Sequence, residues 1–122
     1  MKQVSESMTG PALSDEDAKL VTLARGARGR VGAPEGAALR DETGRTYSGA
    51  TVSLDGLGIS ATGLAVAQAA SSGSRGIEAV VIIRSKPEFT QQDRTEITAL
   101  GGANVLVLIV SPAGEVLSRE TT

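Results

Sequence analysis

Two long apolar segments constrain the fold of this chain more than any other feature. Residues 77–84 form a nearly continuous β-branched run, and residues 104–110 are the most apolar stretch of the sequence. A strand with one buried face alternates apolar and polar residues, whereas uninterrupted runs are typical of strands covered on both faces. The sequence therefore predicts a sheet that lies between two layers of helices.

The remaining strands are predicted from turn signals and alternating patterns. Residues 36–40 and 45–52 are extended segments, and the sequence Asp41-Glu42-Thr43-Gly44 between them suits a tight reversal, so a β-hairpin is expected. Residues 115–119 alternate in character after a Ser-Pro-Ala-Gly turn and predict an edge strand.

Three helices complete the prediction. The first begins at an N-cap, Ser14, carries acidic residues in its first turn and is expected to fray at Gly26 and Gly29. The second covers residues 58–72 with few charges, and the third covers residues 88–100. The order α-β-β-α-β-α-β-β predicts an α/β fold, a three-layer α-β-α arrangement of a mixed sheet of about five strands with helices on both faces.

Composition limits the classes of function. The chain has 122 residues, which suits a flexible leader over residues 1–12 and one domain over residues 13–122. It contains no cysteine and no histidine, so disulfides and thiolate or imidazole metal sites are excluded. A net charge of −2 without a basic stripe argues against generic nucleic-acid binding, and no apolar run is long enough for a membrane span. A cytoplasmic location is expected.

The predicted hairpin carries a family resemblance. Residues 36–39 read Gly-Ala-Ala-Leu and residues 43–49 read Thr-Gly-Arg-Thr-Tyr-Ser-Gly, which resembles the opening of the small, nucleoside-specific cytidine deaminases. The segment 65–73, which ends in Ala, Ser and Gly, resembles the zinc helix of that family. With the later strands, the resemblance extends from Glu35 to Glu120 and implies the cytidine deaminase-like fold.

The resemblance also implies a catalytic site, but this sequence departs from it. In these deaminases three Cys or His ligands hold a zinc ion that activates water, and a Glu that is not a ligand transfers protons. The matching zinc-ligand positions hold Ser60, Thr90 and Asp93, and the catalytic Glu position holds Thr62. One carboxylate with two hydroxyls makes a poor zinc site, and a threonine hydroxyl does not titrate near neutral pH. We therefore expect a degenerate member with no catalytic residue, metal or cofactor.

Hydroxyl groups at these positions could still bind a ligand. The family's ribose-binding residues correspond to Thr51 and Ser53, so the candidate ligand pocket consists of Thr51, Ser53, Ser60, Thr62 and Asp93. A small anion could also bind free amides between Gly58 and Thr62. The alternative for each residue is structural: Thr90 and Asp93 have the spacing of a capping box, Ser60 and Thr62 can satisfy amides at a helix start, and Tyr47 can pack on the sheet.

Three hypotheses for function follow. The first is a pseudoenzyme with an interaction, regulatory or structural role, which forms a homo-oligomer (dimer or tetramer) as its family does and could bind another protein. The second is a protein that binds a nucleoside or nucleotide without turnover. The third is a cytidine deaminase-type hydrolase with a non-standard site, for which the candidate acids are Asp55, Glu88, Asp93 and Glu96.

Overall fold

A five-stranded mixed sheet forms the centre of the molecule in the order β2-β1-β5-β6-β7. The computed structural model describes residues 12–122, so residues 1–11 of the predicted leader lie outside the described residues. The helices are α1 (Asp15–Val31), α2 (Ala61–Ser71) and α3 (Gln91–Gly101). The strands are β1 (Gly36–Asp41), β2 (Thr46–Ala50), β3 (Val52–Leu54), β4 (Leu57–Ile59), β5 (Ile77–Ile83), β6 (Leu106–Val110) and β7 (Val116–Thr121).

Alternate residues of the central strands face two different helical layers. Strands β5 and β6 are parallel, and the other pairs in the sheet are antiparallel. Leu39 and Val80 lie opposite each other and pack with α2 and α3, whereas Ala38 and Val81, one position along, pack with α1. Because side chains alternate along a strand, both faces of the sheet are apolar and buried. The predicted three-layer α/β fold with five strands is confirmed.

A small hairpin between β2 and α2 was not predicted. Strands β3 and β4 pair with each other in a separate two-stranded sheet, which we call the arm (residues 52–59). Its turn is Asp55-Gly56, and Gly56 adopts a left-handed φ of 83°. The predicted start of the second helix at Gly58 is wrong, because Gly58 lies in β4 and α2 begins after its N-cap, Ser60.

Two further helix boundaries differ from the prediction. The first helix does not fray at Gly26 and Gly29 but continues to Val31, where Gly32 caps it. Burial of its apolar face against the sheet outweighs the low helix propensity of glycine. The third helix begins at Gln91 rather than at residue 88, because Thr90 caps it. None of the helices described between residues 12 and 122 is long and apolar enough to cross a bilayer.

Candidate functional site

A cleft of about 420 Å³ lies where α2 and α3 begin and β5 ends. Its lining includes Ser60, Thr90 and Asp93, which the structure therefore brings together. Thr62 is buried in the first turn of α2 and is not part of the lining. The three positions that correspond to zinc ligands in the resemblance thus line the same cleft.

The guanidinium of Arg84 occupies the wall of this cleft with all its donors in use. It binds Asp93 through two bonds of 2.6 and 3.0 Å, and Glu35 through two bonds of 2.9 and 3.1 Å. A fifth bond, of 2.7 Å, runs from Nη1 to the Glu88 carbonyl oxygen. A guanidinium has five N–H groups, so none remains for a ligand. Arg84 is an internal cation of the protein rather than a free binding group.

The ion pair between Asp93 and Arg84 stabilises the charged forms of both residues. Burial by itself would raise the pKa of Asp93, but hydrogen bonds from Arg84 and from the Thr90 amide outweigh it and lower that pKa. Burial likewise opposes the charge on Arg84, yet its bonds to Asp93 and Glu35 raise its pKa. Asp93 is therefore a carboxylate near neutral pH and is unsuited to donate a proton.

Asp93 also completes a capping box at the start of α3. Its Oδ2 accepts a hydrogen bond of 2.8 Å from the Thr90 amide, and the Thr90 hydroxyl accepts one of 3.1 Å from the Asp93 amide. The capping box predicted from the spacing of these two residues is confirmed. The Asp93 carboxylate thus caps α3 and neutralises Arg84. Because its charge is paired in this way, Asp93 can be buried, and it is only 4% exposed.

Ser60 has a comparable structural role at the start of α2. Its hydroxyl oxygen accepts a hydrogen bond of 2.9 Å from the Gly63 amide, as expected for an N-cap. The same hydroxyl donates to Oε2 of Glu96 at 2.8 Å, and Gln92 donates to that oxygen at 3.1 Å. Ser60 therefore links α2 to α3 across the cleft.

The donors at this cleft do not fit a zinc ion. The hydroxyls of Ser60 and Thr90 serve as helix caps, and both oxygens of Asp93 already accept bonds from Arg84. A metal ion bound to Asp93 would lie beside a buried guanidinium, which would repel it. Within residues 12–122, no three acidic side chains converge in a way that could hold a metal ion.

The structure places the two remaining residues of the predicted ligand pocket elsewhere. Thr51 donates to the Glu35 carbonyl oxygen at 3.3 Å and lines a second cavity, of about 240 Å³. Ser53 lies exposed on the arm. Of the candidate acids, Glu88 lines the cleft, whereas Asp55 is at the tip of the arm.

Sequence reasoning missed Arg84 and Glu35 as parts of this site. Arg84 follows five consecutive buried residues of β5, and a charged residue at the end of such a run was the signal available. Its partners lie 49 positions before it and 9 positions after it. No local pattern in the sequence links residues at those separations.

Comparison with known protein families identifies the family of this chain. A family model described as cytidine deaminase-like matches residues 13–114. The chain belongs to the cytidine deaminase-like family. A comparison with curated proteins finds no match to this cytidine deaminase-like chain.

Solved cytidine deaminases have a similar fold. The enzyme from Burkholderia pseudomallei matches with a TM-score of 0.72 and 20% identity, over 90% of this chain and 92% of that chain. The enzyme from Mycobacterium leprae matches with a TM-score of 0.68 and 20% identity, over 89% of this chain and 94% of that chain. For the Mycobacterium tuberculosis enzyme the values are 0.65 and 22%, over 78% and 85%. At these identities the likeness concerns the fold.

Proposed function

We propose that this cytidine deaminase-like chain is a pseudoenzyme that does not carry out zinc-dependent deamination. It acts instead in an interaction, regulatory or structural role, forms a homo-oligomer (dimer or tetramer) and binds a protein partner. In this proposal the protein lies in the cytoplasm. A sequence without cysteine is compatible with that compartment.

The paired guanidinium of Arg84 in the cleft is the observation that supports this proposal most directly. Arg84 is bonded to Asp93 and Glu35, so the cleft already contains a positive charge with its counter-charges. Zinc-dependent deamination needs a metal-bound water and a carboxylate that transfers protons. The position paired with that carboxylate holds Thr62, which is 2% exposed and cannot act as an acid or base near neutral pH.

Metal content and deamination of cytidine, measured on the same sample, test the proposal. Purified protein is incubated with excess zinc, desalted, and analysed by mass spectrometry and for conversion of cytidine to uridine. The M. tuberculosis cytidine deaminase, treated identically, is the positive control. We expect zinc far below one ion per chain and no turnover. One zinc per chain together with turnover would refute the proposal.

A second candidate function is binding of a small molecule without turnover. The cleft volume of about 420 Å³ lies within the range of roughly 300–1,000 Å³ that is usual for small-molecule sites. Ser85, Lys86 and Gln92 line it and are exposed, so they have groups to offer a nucleoside or nucleotide. A ligand at 100 times its Kd should add about 2.7 kcal/mol to stability. Thermal unfolding that no nucleoside or nucleotide shifts would remove this candidate.

A further inference from the structure

Two acidic side chains bind the guanidinium of Arg84, and they differ in how firmly they are held. The side chain of Asp93 is 6% exposed, and it also accepts a hydrogen bond from the Thr90 amide. The side chain of Glu35 is 34% exposed, and within residues 12–122 its carboxylate has hydrogen bonds with Arg84 only. Displacement of Glu35 therefore breaks fewer contacts than displacement of Asp93.

The side chain of Glu35 is able to move while its backbone stays in place. Glu35 lies between α1 and β1, and its carbonyl oxygen accepts hydrogen bonds of 3.1 and 3.3 Å from the amide and the hydroxyl of Thr51. These two bonds fix the main chain. Rotation about side-chain bonds, which is fast for exposed residues, is then sufficient to take the carboxylate from Arg84 into solvent.

The edge of Arg84 that faces Glu35 has the geometry of a carboxylate-binding site. Nε and Nη2 donate bonds of 3.1 and 2.9 Å to the two oxygens of one carboxylate, which is the bidentate arrangement by which a guanidinium recognises this group. Arg84 is itself only 10% exposed, and Asp93 and the Glu88 carbonyl oxygen hold its other edge. Departure of Glu35 would thus leave two oriented donors in the cleft wall.

We propose that the cleft binds a small carboxylic acid, in its ionised form, which takes the place of Glu35 on Arg84. Glu35 is an internal occupant of this site, and the ligand exchanges with it while Asp93 stays bound. The guanidinium keeps five hydrogen bonds and two counter-charges before and after the exchange. This inference rests on small-molecule binding at the cleft, the second candidate function above, and it names the class of ligand.

The remainder of the cleft suits a carboxylate ligand with few carbon atoms. Its volume of about 420 Å³ is present with Glu35 in place, so a ligand has room beside that side chain. Lys86 lines the cleft, is exposed and forms no ion pair with any residue between 12 and 122, so its ammonium group attracts an anion. Glu88 also lines the cleft and opposes an anion, but its side chain is exposed and solvent screens its charge.

Substitution of Glu35 by alanine vacates the proposed site and provides the first test. Sodium propionate should raise the melting temperature of Glu35→Ala above the value in sodium chloride of equal ionic strength, because a ligand of the folded state stabilises it. Propionamide, which has a similar shape and no charge, should have no such effect. Glu88→Ala is the matched control: it removes one carboxylate from the same cleft but leaves Arg84 fully bonded, so its response should equal that of the wild type.

Propionate binding to the wild type is the second measurement, and it requires no substitution. An NMR titration of isotope-labelled protein follows the Nε–H resonance of Arg84. The wild type should bind propionate saturably, with a Kd about tenfold or more above that of Glu35→Ala, because only molecules with Glu35 displaced are competent to bind. Arg84→Lys combined with Glu35→Ala keeps the positive charge without the bidentate donors, and it should bind at least about tenfold more weakly than Glu35→Ala alone.

Three results would overturn the exchange of Glu35 for a carboxylate ligand. The first is an equal response of Glu35→Ala to propionate and to chloride. The second is a wild-type Arg84 resonance that propionate does not shift, which decides the matter even where Glu35→Ala fails to fold. The third is propionate binding that Arg84→Lys leaves undiminished.

The carboxylate site and the binding of nucleosides can fail separately. Nucleosides that shift thermal unfolding of a protein without any response to propionate would refute the carboxylate site and leave small-molecule binding intact. A response to propionate without one to any nucleoside or nucleotide would remove the nucleoside candidate and support the carboxylate site. Propionate and nucleosides therefore report on different parts of the proposals.

Discussion

At the scale of single residues, Arg84 is the group on which the cleft depends most. Replacement by methionine would leave the nearly buried Asp93 without its counter-charge, and breaking a buried ion pair in this way costs about 3–5 kcal/mol. Thr90→Ala, which removes a helix cap, should cost about 1 kcal/mol. Urea unfolding measures both. Equal losses for the two variants would show that the ion pair contributes little beyond the capping box.

The comparison of these residues shows what the sequence could indicate about the site. Thr90 and Asp93 are three positions apart at a helix start, so their mutual hydrogen bonds follow from local geometry and were predicted. The bond between Asp93 and Arg84 depends instead on how α3 packs beside the end of β5. Tertiary packing decides that contact, and one sequence contains no direct signal for it.

A second buried carboxylate, Asp41, should make stability depend on acid pH. Burial opposes its charge, but hydrogen bonds from Ser74, Thr43 and the Arg45 amide lower the pKa of Asp41 from 3.8 to about 2. Because the folded pKa is lowered, the stabilisation is complete above pH 3.8 and is lost as the pH falls toward 2. Unfolding free energies of the wild type and of Asp41→Asn, measured across this window, should converge. A constant difference between them would contradict this prediction.

At the scale of elements, α2 packs directly on β2 through a glycine. A Cβ atom at Gly49 would lie 2.9 Å from Cγ of Leu64, closer than such atoms approach. Gly49→Ala should therefore destabilise the fold by about 1–3 kcal/mol, as overpacking does. In a Leu64→Ala background the same change should cost less, because Cγ and Cδ2 of Leu64, the two nearest atoms, are removed and only Cβ remains, at 3.1 Å. Additive losses in chemical denaturation of the four proteins would argue against this contact.

The prediction of helices and strands is correct where the local sequence patterns agree with one another, and it is wrong at the arm. Asp55-Gly56 between two short apolar segments is a known hairpin signal, so the arm could have been predicted. The small side chains that follow it favoured an early helix start instead. The continuation of α1 through Gly26 and Gly29 could not have been predicted from a local pattern. Packing of α1 against the sheet outweighs the low helix propensity of these glycines.

At the scale of the whole molecule, the two apolar runs were sufficient to predict a sheet between helical layers. The strand order β2-β1-β5-β6-β7 was not available from them, because β1 and β5 pair across a long separation in sequence. The family resemblance implied the cytidine deaminase-like fold, and it assigned Ser60, Thr90 and Asp93 to one zinc site, in agreement with their position in a single cleft. The arm, in contrast, is a surface feature that neither the apolar runs nor the resemblance indicated.

The shared charges of the cleft also limit how this sequence can change. A substitution at Asp93 alone leaves a buried guanidinium with one acidic partner fewer, and loss of Arg84 alone leaves a buried carboxylate unpaired. Each first step toward a metal-binding arrangement therefore lowers stability before any ion can bind. A metal site at this cleft would need Asp93 and Arg84 to change together, so that neither charge is left buried without a partner.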